Sequence, residues 1–432
     1  MKSHARPLLA LVAAAALSAC ASGPPPTANP VELPAQWQAP LPHSGELTVM
    51  SQWWQQFNDP LLIQLISAAQ AVSPSVASAA SRIEQSRATR VAAGAALLPS
   101  LDANATAVRG RQDFISGLGT TASAGVQASW ELDLFGGRRA ARDAAQARAD
   151  GAQSAWHDAR VAVAAEVATS YTALRACEAQ VEQTQIDAHS RSETARLTEL
   201  SRQAGFEAPA SAALARASAA QGNSLLTERR AQCDVLVKGL VALTGMAEPA
   251  LRNELAAGAA KVPQPAQLVI ASVPAQALAQ RPDLLSAERE VVAAASEVSQ
   301  AQAARLPRIS LAGSLSAARF ESSFGNDTGT LWSIGPVTVS LPLFDGGTRR
   351  ANVDAAQARY IEAGALYRGK LRTAVREVEE ALVALRSTAD RSTDAQVALI
   401  DLQRERSTAW ITLYRALGGG WADTDTPVAA RQ

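Results

Sequence analysis

Aromatic side chains make up only 4% of this 432-residue chain, and it has just three cysteines and four histidines. So few rings exclude a dense aromatic core. The abundance of Ala with Gln, Glu and Arg favours long helices packed closely through small side chains. His4, His43, His157 and His189 are scattered, and none stands near Cys or carboxylates at metal-ligand spacing, so no metal site is expected. There is no G-x-S-x-G, no Walker loop and no H-E-x-x-H, so no catalytic constellation and no enzyme are expected. Charge of one sign is also missing: 40 basic residues stand against 40 acidic ones. Without residues 1–19, which hold Lys2 and Arg6 and no acid, the balance is 38 against 40. That excludes the basic surface a nucleic-acid partner would need.

Long hydrophobic runs are lacking too. Leu8 to Leu17 form a short apolar stretch behind Lys2 and Arg6, too short to span a bilayer. This is the pattern of a signal peptide, residues 1–19. The sequence Leu17-Ser18-Ala19-Cys20 resembles the bacterial lipobox, in which cleavage falls between Ala19 and Cys20 and the cysteine is acylated. Diacylglycerol and palmitate on Cys20 are the only non-protein groups expected. Acyl chains contribute roughly 0.8 kcal/mol per buried CH₂, so multiple acylation anchors firmly. A plain signal peptide with an incidental cysteine is the alternative. Ala21, not Asp, would be the second mature residue, which by resemblance to other lipoproteins favours the outer membrane. Residues 20–52 read as a Pro-rich extended tether.

The remainder is two copies of one unit. Pro74 matches Pro282, and Leu98-Pro99 matches Leu306-Pro307, both at an offset of 208. The run DAAQAR at Asp143–Arg148 recurs at Asp354–Arg359, offset 211. Such ordered landmarks mark a duplication. The first repeat is placed at 53–250, a linker at 251–265, the second repeat at 266–421 and a tail at 422–432.

Each unit reads helix, strand, loop, strand, helix. Apolar residues recur at helical spacing over 60–97, and Pro99 or Pro307 then stops the helix. Period-two alternation follows: Leu101, Ala103, Ala105 and Ala107 alternate with polar residues. On the return strand Ala124, Val126, Ala128, Trp130, Leu132 and Leu134 share one face. In the second repeat Trp332 and Ile334 fall on one face and Val337 and Val339 on the other, so the phase flips at Gly335-Pro336 and predicts a bulge or kink. Strands with one apolar and one polar face fit a membrane barrel with a wet lumen. Four strands cannot close such a barrel, and an open edge cannot sit in lipid. Several chains must share one barrel, and three would supply 12 strands. From Arg138 to about Gln203 there is no proline, which predicts roughly 99 Å of helix. A turn at Gly205 to Pro209 returns the chain to a second helix ending near Leu243.

Four motifs then converge on a family. WWQQFNDP (53–60), RPDL (281–284), ELDLFGG (131–137) and LYRALGGGW (413–421) resemble the TolC-like outer-membrane efflux proteins, and most closely their NodT-type lipoproteins. The resemblance covers nearly the whole mature chain. It implies a mainly α fold with a membrane β part: a homotrimer whose shared 12-stranded barrel continues into a periplasmic α-helical coiled barrel. It also implies a periplasmic adaptor (membrane fusion) protein, an inner-membrane pump of the resistance-nodulation-division type, and outer-membrane lipid as partners. The implied activity is passive conduction of drugs or other small molecules. Type I protein secretion is the alternative channel function, and the lipobox and GlyGlyGlyTrp ending lean against it. A pore-free periplasmic adaptor is a third reading, opposed by the strand pairs.

The sequence departs from the pattern in one place. Leu174 to Leu243 spans 69 positions, but Leu385 to Leu417 spans 32, so the second repeat lacks 37 residues at its hairpin's far end. In the family that end carries charged residues that hold the entrance shut. The polar run Arg386–Ala395 is expected to make the shortened turn. The entrance would then be built mainly from the first hairpin and be altered or leaky. A truncated variant with impaired gating is the bland alternative.

Cys177 lies 28 residues before Gly205 and Cys233 lies 28 after it, which sets them at one height on an antiparallel hairpin. In the oxidising periplasm a disulfide is expected, with two buried thiols as the alternative. Arg202, Glu207 and Arg216 flank the turn as candidate pore or adaptor contacts, or as an ordinary solvated face. Trp130 and Trp332 read either as interfacial anchors or as packing residues.

Overall fold

The computed structural model describes residues 50–111, 118–265, 278, 280–322, 325–394 and 399–419. Ala19, Cys20 and the tether up to residue 49 lie outside the described residues, as do Gly420, Trp421 and the tail. The chain divides into two compact units. One comprises Ile83–Gly151 and Ala287–Tyr367; the other holds Ala152–Ser286, Arg368–Gln432 and the segment ending at Arg82. No single helix among the described residues is long and apolar enough to cross a membrane.

After a 3-10 segment, Met50–Phe57, come α1 (Pro60–Val72) and α2 (Pro74–Ala95). The Asp59 carboxylate caps α1 by accepting from the amides of Leu61 and Leu62 at 3.1 and 3.2 Å, and Pro60 occupies the first turn, where no amide is needed. The single helix expected over 60–97 is thus broken. Pro74 has no N–H to give, and Ser73 turns extended to end α1 and start α2. Next come β1 (Ser100–Gly110) and β2 (Gly119–Leu132), then α3 (Gly137–Gln203), 67 residues without interruption. Leu134, expected on the second strand, lies beyond its end. Gly205 takes a left-handed φ of 82° in the hairpin turn, and α4 (Pro209–Thr244) returns.

A further helix, α5 (Glu248–Ala256), crosses the expected start of the linker at 251. Leu251 and Leu255, one turn apart, are both buried and hold this segment to the body. The second repeat supplies α6 (Pro282–Ala303), β3 (Arg308–Ser322), β4 (Gly325–Ser340), α7 (Thr348–Asp394) and α8 (Leu399–Ala416). The run Arg386–Ala395, expected to turn, is helical through Asp394. Arg386 pairs with Asp390 one turn on at 3.8 Å, and the buried Thr388 hydroxyl donates to the Ala384 carbonyl at 2.8 Å. The connection itself, 395–398, lies outside the described residues.

In the first unit the four strands form one antiparallel sheet in the order β1-β2-β3-β4. Alanine seams pack the helices there: Ala144 and Ala147 of α3 bury against Ala293 of α6. Arg148 and Arg359, the last residues of the two DAAQAR runs, both reach Glu297, at 2.7 and 3.3 Å. The repeated motif therefore converges on one carboxylate of α6.

Candidate functional site

The sheet register decides which face each strand side chain takes. Leu101 pairs with Ala128, Ala103 with Val126, Val126 with Leu315, and Leu315 with Trp332. Trp130 faces Leu311, which faces Val337; Leu132 faces Ile309, which faces Val339. In β4, Leu311 pairs with Val337 but Gly313 with Ile334, so one residue of β3 opposes Gly335 and Pro336 together. This is the bulge the phase flip predicts, and it has a definite effect. By absorbing one residue, it brings Trp332 and Ile334 onto the same face as Val337 and Val339. One face of all four strands is thus apolar, and these side chains are exposed in the single chain.

The other face is polar. Hydroxyl pairs cross it at Ser100–Ser129, Thr106–Ser123 and Ser314–Ser333, at 2.8, 2.8 and 2.9 Å. At Gly125 the neighbouring strand passes so close that a Cβ would lie 2.4 Å from the Leu315 carbonyl oxygen. No other residue fits there.

Each strand-to-helix corner is set by an aspartate that the sequence reading did not single out. Asp133 accepts from the amides of Arg138 and Arg139 at 3.0 and 2.9 Å. Asp345 accepts from those of Gly347 and Arg349 at 3.1 and 3.2 Å and pairs with the Arg349 side chain. That Arg349 partner holds the Asp345 carboxyl below the usual aspartate range. Gly136, Gly346 and Gly347 all have positive φ, which is the backbone role expected of the two Gly-Gly pairs.

In the second unit the remaining motifs meet. Trp53 stacks on Tyr414 at 5.2 Å and 10°, and Trp54 sets its edge against the same ring at 4.8 Å. Arg281 is buried. It forks onto Asp283, reaches Glu377 at 2.9 Å and donates to the Ala416 carbonyl at the end of α8 at 2.6 Å. Burial pushes the Asp283 carboxyl up, but the Arg281 guanidinium more than offsets this and holds it below the usual range. Asp158 has the opposite balance: burial, then the charge of Asp283, raises its pKa. Just beyond α8, Gly418 and Gly419 have φ of 92° and 64°. A Cβ on Gly419 would lie 2.3 Å from Val161, and one on Gly418 would lie 2.7 Å from the Arg281 Cα. The WW, RPD and GlyGly motifs, spread over 366 positions, thus form one packed knot. A second knot was not foreseen. The Tyr171 hydroxyl donates to the Asp59 carboxylate at 2.7 Å, and the buried Arg175 lies over the Tyr171 ring and donates to the Leu255 carbonyl at 2.8 Å.

The long hairpin of α3 and α4 carries the expected cysteines as a disulfide, Cys177–Cys233, with Cα atoms 5.7 Å apart. At its turn, Glu199 accepts from Arg202 at 2.6 Å and from Arg216 at 2.9 Å. Hydrogen bonding by Arg202 comes first among the causes that bring the Glu199 pKa down to about 2. Two of the three expected turn residues are therefore joined through Glu199, which sequence reasoning missed although it lies one turn from Arg202. Glu207 is exposed in the turn beside Phe206, whose ring is also bare. Downstream, α7 has 47 residues where α3 has 67, and α8 has 18 where α4 has 36. The shortening by about 18 residues per arm is thus shared by both helices of the second hairpin.

A four-stranded sheet with one apolar and one polar face, set on duplicated long helical hairpins, is the protomer fold of a TolC-like outer-membrane channel. The solved structure of the outer-membrane channel OprN has this fold. It superposes with a TM-score of 0.76 over 91% of this chain and 99% of that one, at 24% identity. The chain belongs to the outer membrane efflux protein family, whose pattern matches residues 65–246 and 273–393. Outer membrane protein OprJ of Pseudomonas aeruginosa is 29% identical over 100% of this chain and 99% of its own length. Nodulation protein T of Rhizobium leguminosarum bv. viciae is 29% identical over 95% of this chain and 85% of its own.

Proposed function

We propose that three copies of this chain form one outer-membrane channel of a tripartite efflux system. The channel passively conducts drugs or other small molecules that an inner-membrane pump delivers through a periplasmic adaptor. The pump is of the resistance-nodulation-division type, and Cys20 carries the lipid anchor. The open sheet carries this reading. Within one chain β1 and β4 each leave an outer edge unpaired, and one face is apolar along all four strands. In lipid such edges must close on other copies, and three copies make twelve strands. The apolar face then meets lipid, and the hydroxyl-lined face meets the water-filled lumen. Energy for transport comes from the pump, so the substrate is chosen there.

The test is a deletion strain, with and without the neighbouring pump genes, combined with gels of outer-membrane fractions. Drug sensitivity that appears on deletion only when the pump is present, together with SDS-resistant trimers, is the expected result. Unchanged sensitivity, or a protein that stays monomeric in the outer membrane, overturns the proposal.

A further inference from the structure

The first hairpin outreaches the second, and its two outer flanks match each other in height. Across its inner seam, Ala188 meets Gly222 and Cys177 meets Cys233, pairs that stand 17 and 28 residues on either side of Gly205. Height along the hairpin is therefore read directly from distance to Gly205.

On α3, residues 176, 179, 183, 186, 190, 193, 197 and 200 follow the alternating three-and-four spacing of a coiled-coil seam. At the upper end, Ala176 and Ala179 are 1% and 8% exposed. Beside them Gln180 donates to Asp401 of α8 at 2.7 Å. That helix begins at Leu399, so its cover stops there. Lower down the same seam Ile186, Leu197 and Leu200 are 59%, 55% and 50% exposed. Ile186 and Leu197 each stand two positions, about 200° around the helix, from Ala188 and Ala195, which are buried. They point away from α4.

The outer flank of α4 answers them. Leu214 stands two positions from buried Ala212, and Leu225 lies three turns further along the same side; they are 73% and 41% exposed. Ile186 is 19 residues from Gly205 and Leu225 is 20; Leu197 is 8 and Leu214 is 9. Between these levels Glu193 matches the height of Ser218. Apolar thus stands level with apolar and polar with polar, but on opposite sides of one hairpin. They can meet only between hairpins. Rotation about an axis along the hairpin conserves height, so a ring of identical copies brings α3 of one against α4 of the next in register.

We infer that the first hairpins of neighbouring copies pack directly on one another below Asp401, through Ile186 with Leu225 and Leu197 with Leu214. This rests on the trimeric reading above, and in a trimer it makes a six-helix throat. The entrance is then altered, as the missing 37 residues require, but closed by sibling hairpins and not left leaking. The Cys177–Cys233 bridge sits at the top of the throat and fixes the two arms in the register that the match needs.

The test co-expresses two full-length chains with different tags, one Ile186→Cys and the other Leu225→Cys, and treats outer membranes with a short bismaleimide. The native cysteines 177 and 233 are consumed by their bridge. A shift from one-chain to two-chain mass on a denaturing gel, carrying both tags and absent when either variant is expressed alone, is expected. Leu197→Cys with Leu214→Cys is the independent second pair and is expected to behave alike. SDS-resistant mixed trimers that crosslink at neither pair overturn the throat and leave the trimeric channel standing. Crosslinking of Ile186→Cys to a different protein also overturns it. Absence of mixed trimers overturns both readings.

Discussion

Arg281 donates to the backbone carbonyl of Ala416, 135 residues further along the chain, at 2.6 Å. The arginine opens the second repeat and the carbonyl ends its last helix, so one side chain closes that repeat on itself. It also neutralises Asp283 and Glu377. Arg281→Ala leaves two carboxylates and a carbonyl without their cation. Breaking a buried pair in this way costs about 3–5 kcal/mol. Arg281→Lys keeps the charge but not the fork and should fall between. The temperature at which purified trimers dissociate is expected to drop in that order, and an Arg281→Ala protein as heat-stable as wild type would contradict it.

The disulfide closes a loop with a sequence separation of 56. Replacing Cys177 and Cys233 together by serine should cost about 2–4 kcal/mol. The loss is expected to show locally, as faster trypsin cleavage at Arg191 and Arg196, while the β-sheet stays protected. Identical cleavage rates with and without reductant would show that the bridge holds nothing.

Asp158 gives a pH signature. Its pKa is raised in the folded protein, so the folded state holds its proton more tightly than the unfolded one. Stability is then lost as pH rises from the unfolded aspartate value, about 3.9, through the raised folded value. Asp158→Asn removes that loss. Its melting temperature is expected to exceed wild type at pH 7 and to converge with it near pH 3.5. A constant difference at both pH values would exclude the carboxylate as the cause.

Cys20→Ser removes the proposed lipid but none of the strands. Trimer yield in the outer membrane is expected to fall several-fold, while conductance per reconstituted trimer stays unchanged. Normal trimer levels in the variant would show that the strands alone sort and assemble the protein.

Much of this architecture was readable along the chain because its determinants are local. Proline-free length gave α3 within one residue at its start, and alternation gave the strands. The phase flip at Gly335-Pro336 announced the bulge, though not that the bulge would reunite the two halves of β4 on one face. What escaped was set by distant partners. Glu297 matters because two arginines from different repeats arrive at it, and Asp59 because Tyr171 does. The helical course of Arg386–Asp394 escaped for another reason. Its polar composition suits a turn equally well, and an ion pair with a buried threonine bond tips it to helix. Cys177 and Cys233 stood out because equal distance from one glycine is visible in numbering alone.

The sheet order has a bearing on biogenesis. The central pairing joins β2 to β3, and Leu132 reaches its partner Ile309 only after 177 intervening residues have been made. Until then the first two strands are a lone hairpin, marginal in water and apolar on one side. A chain crossing the periplasm in this state needs a holding factor that masks that side, and the need ends only when the second repeat arrives.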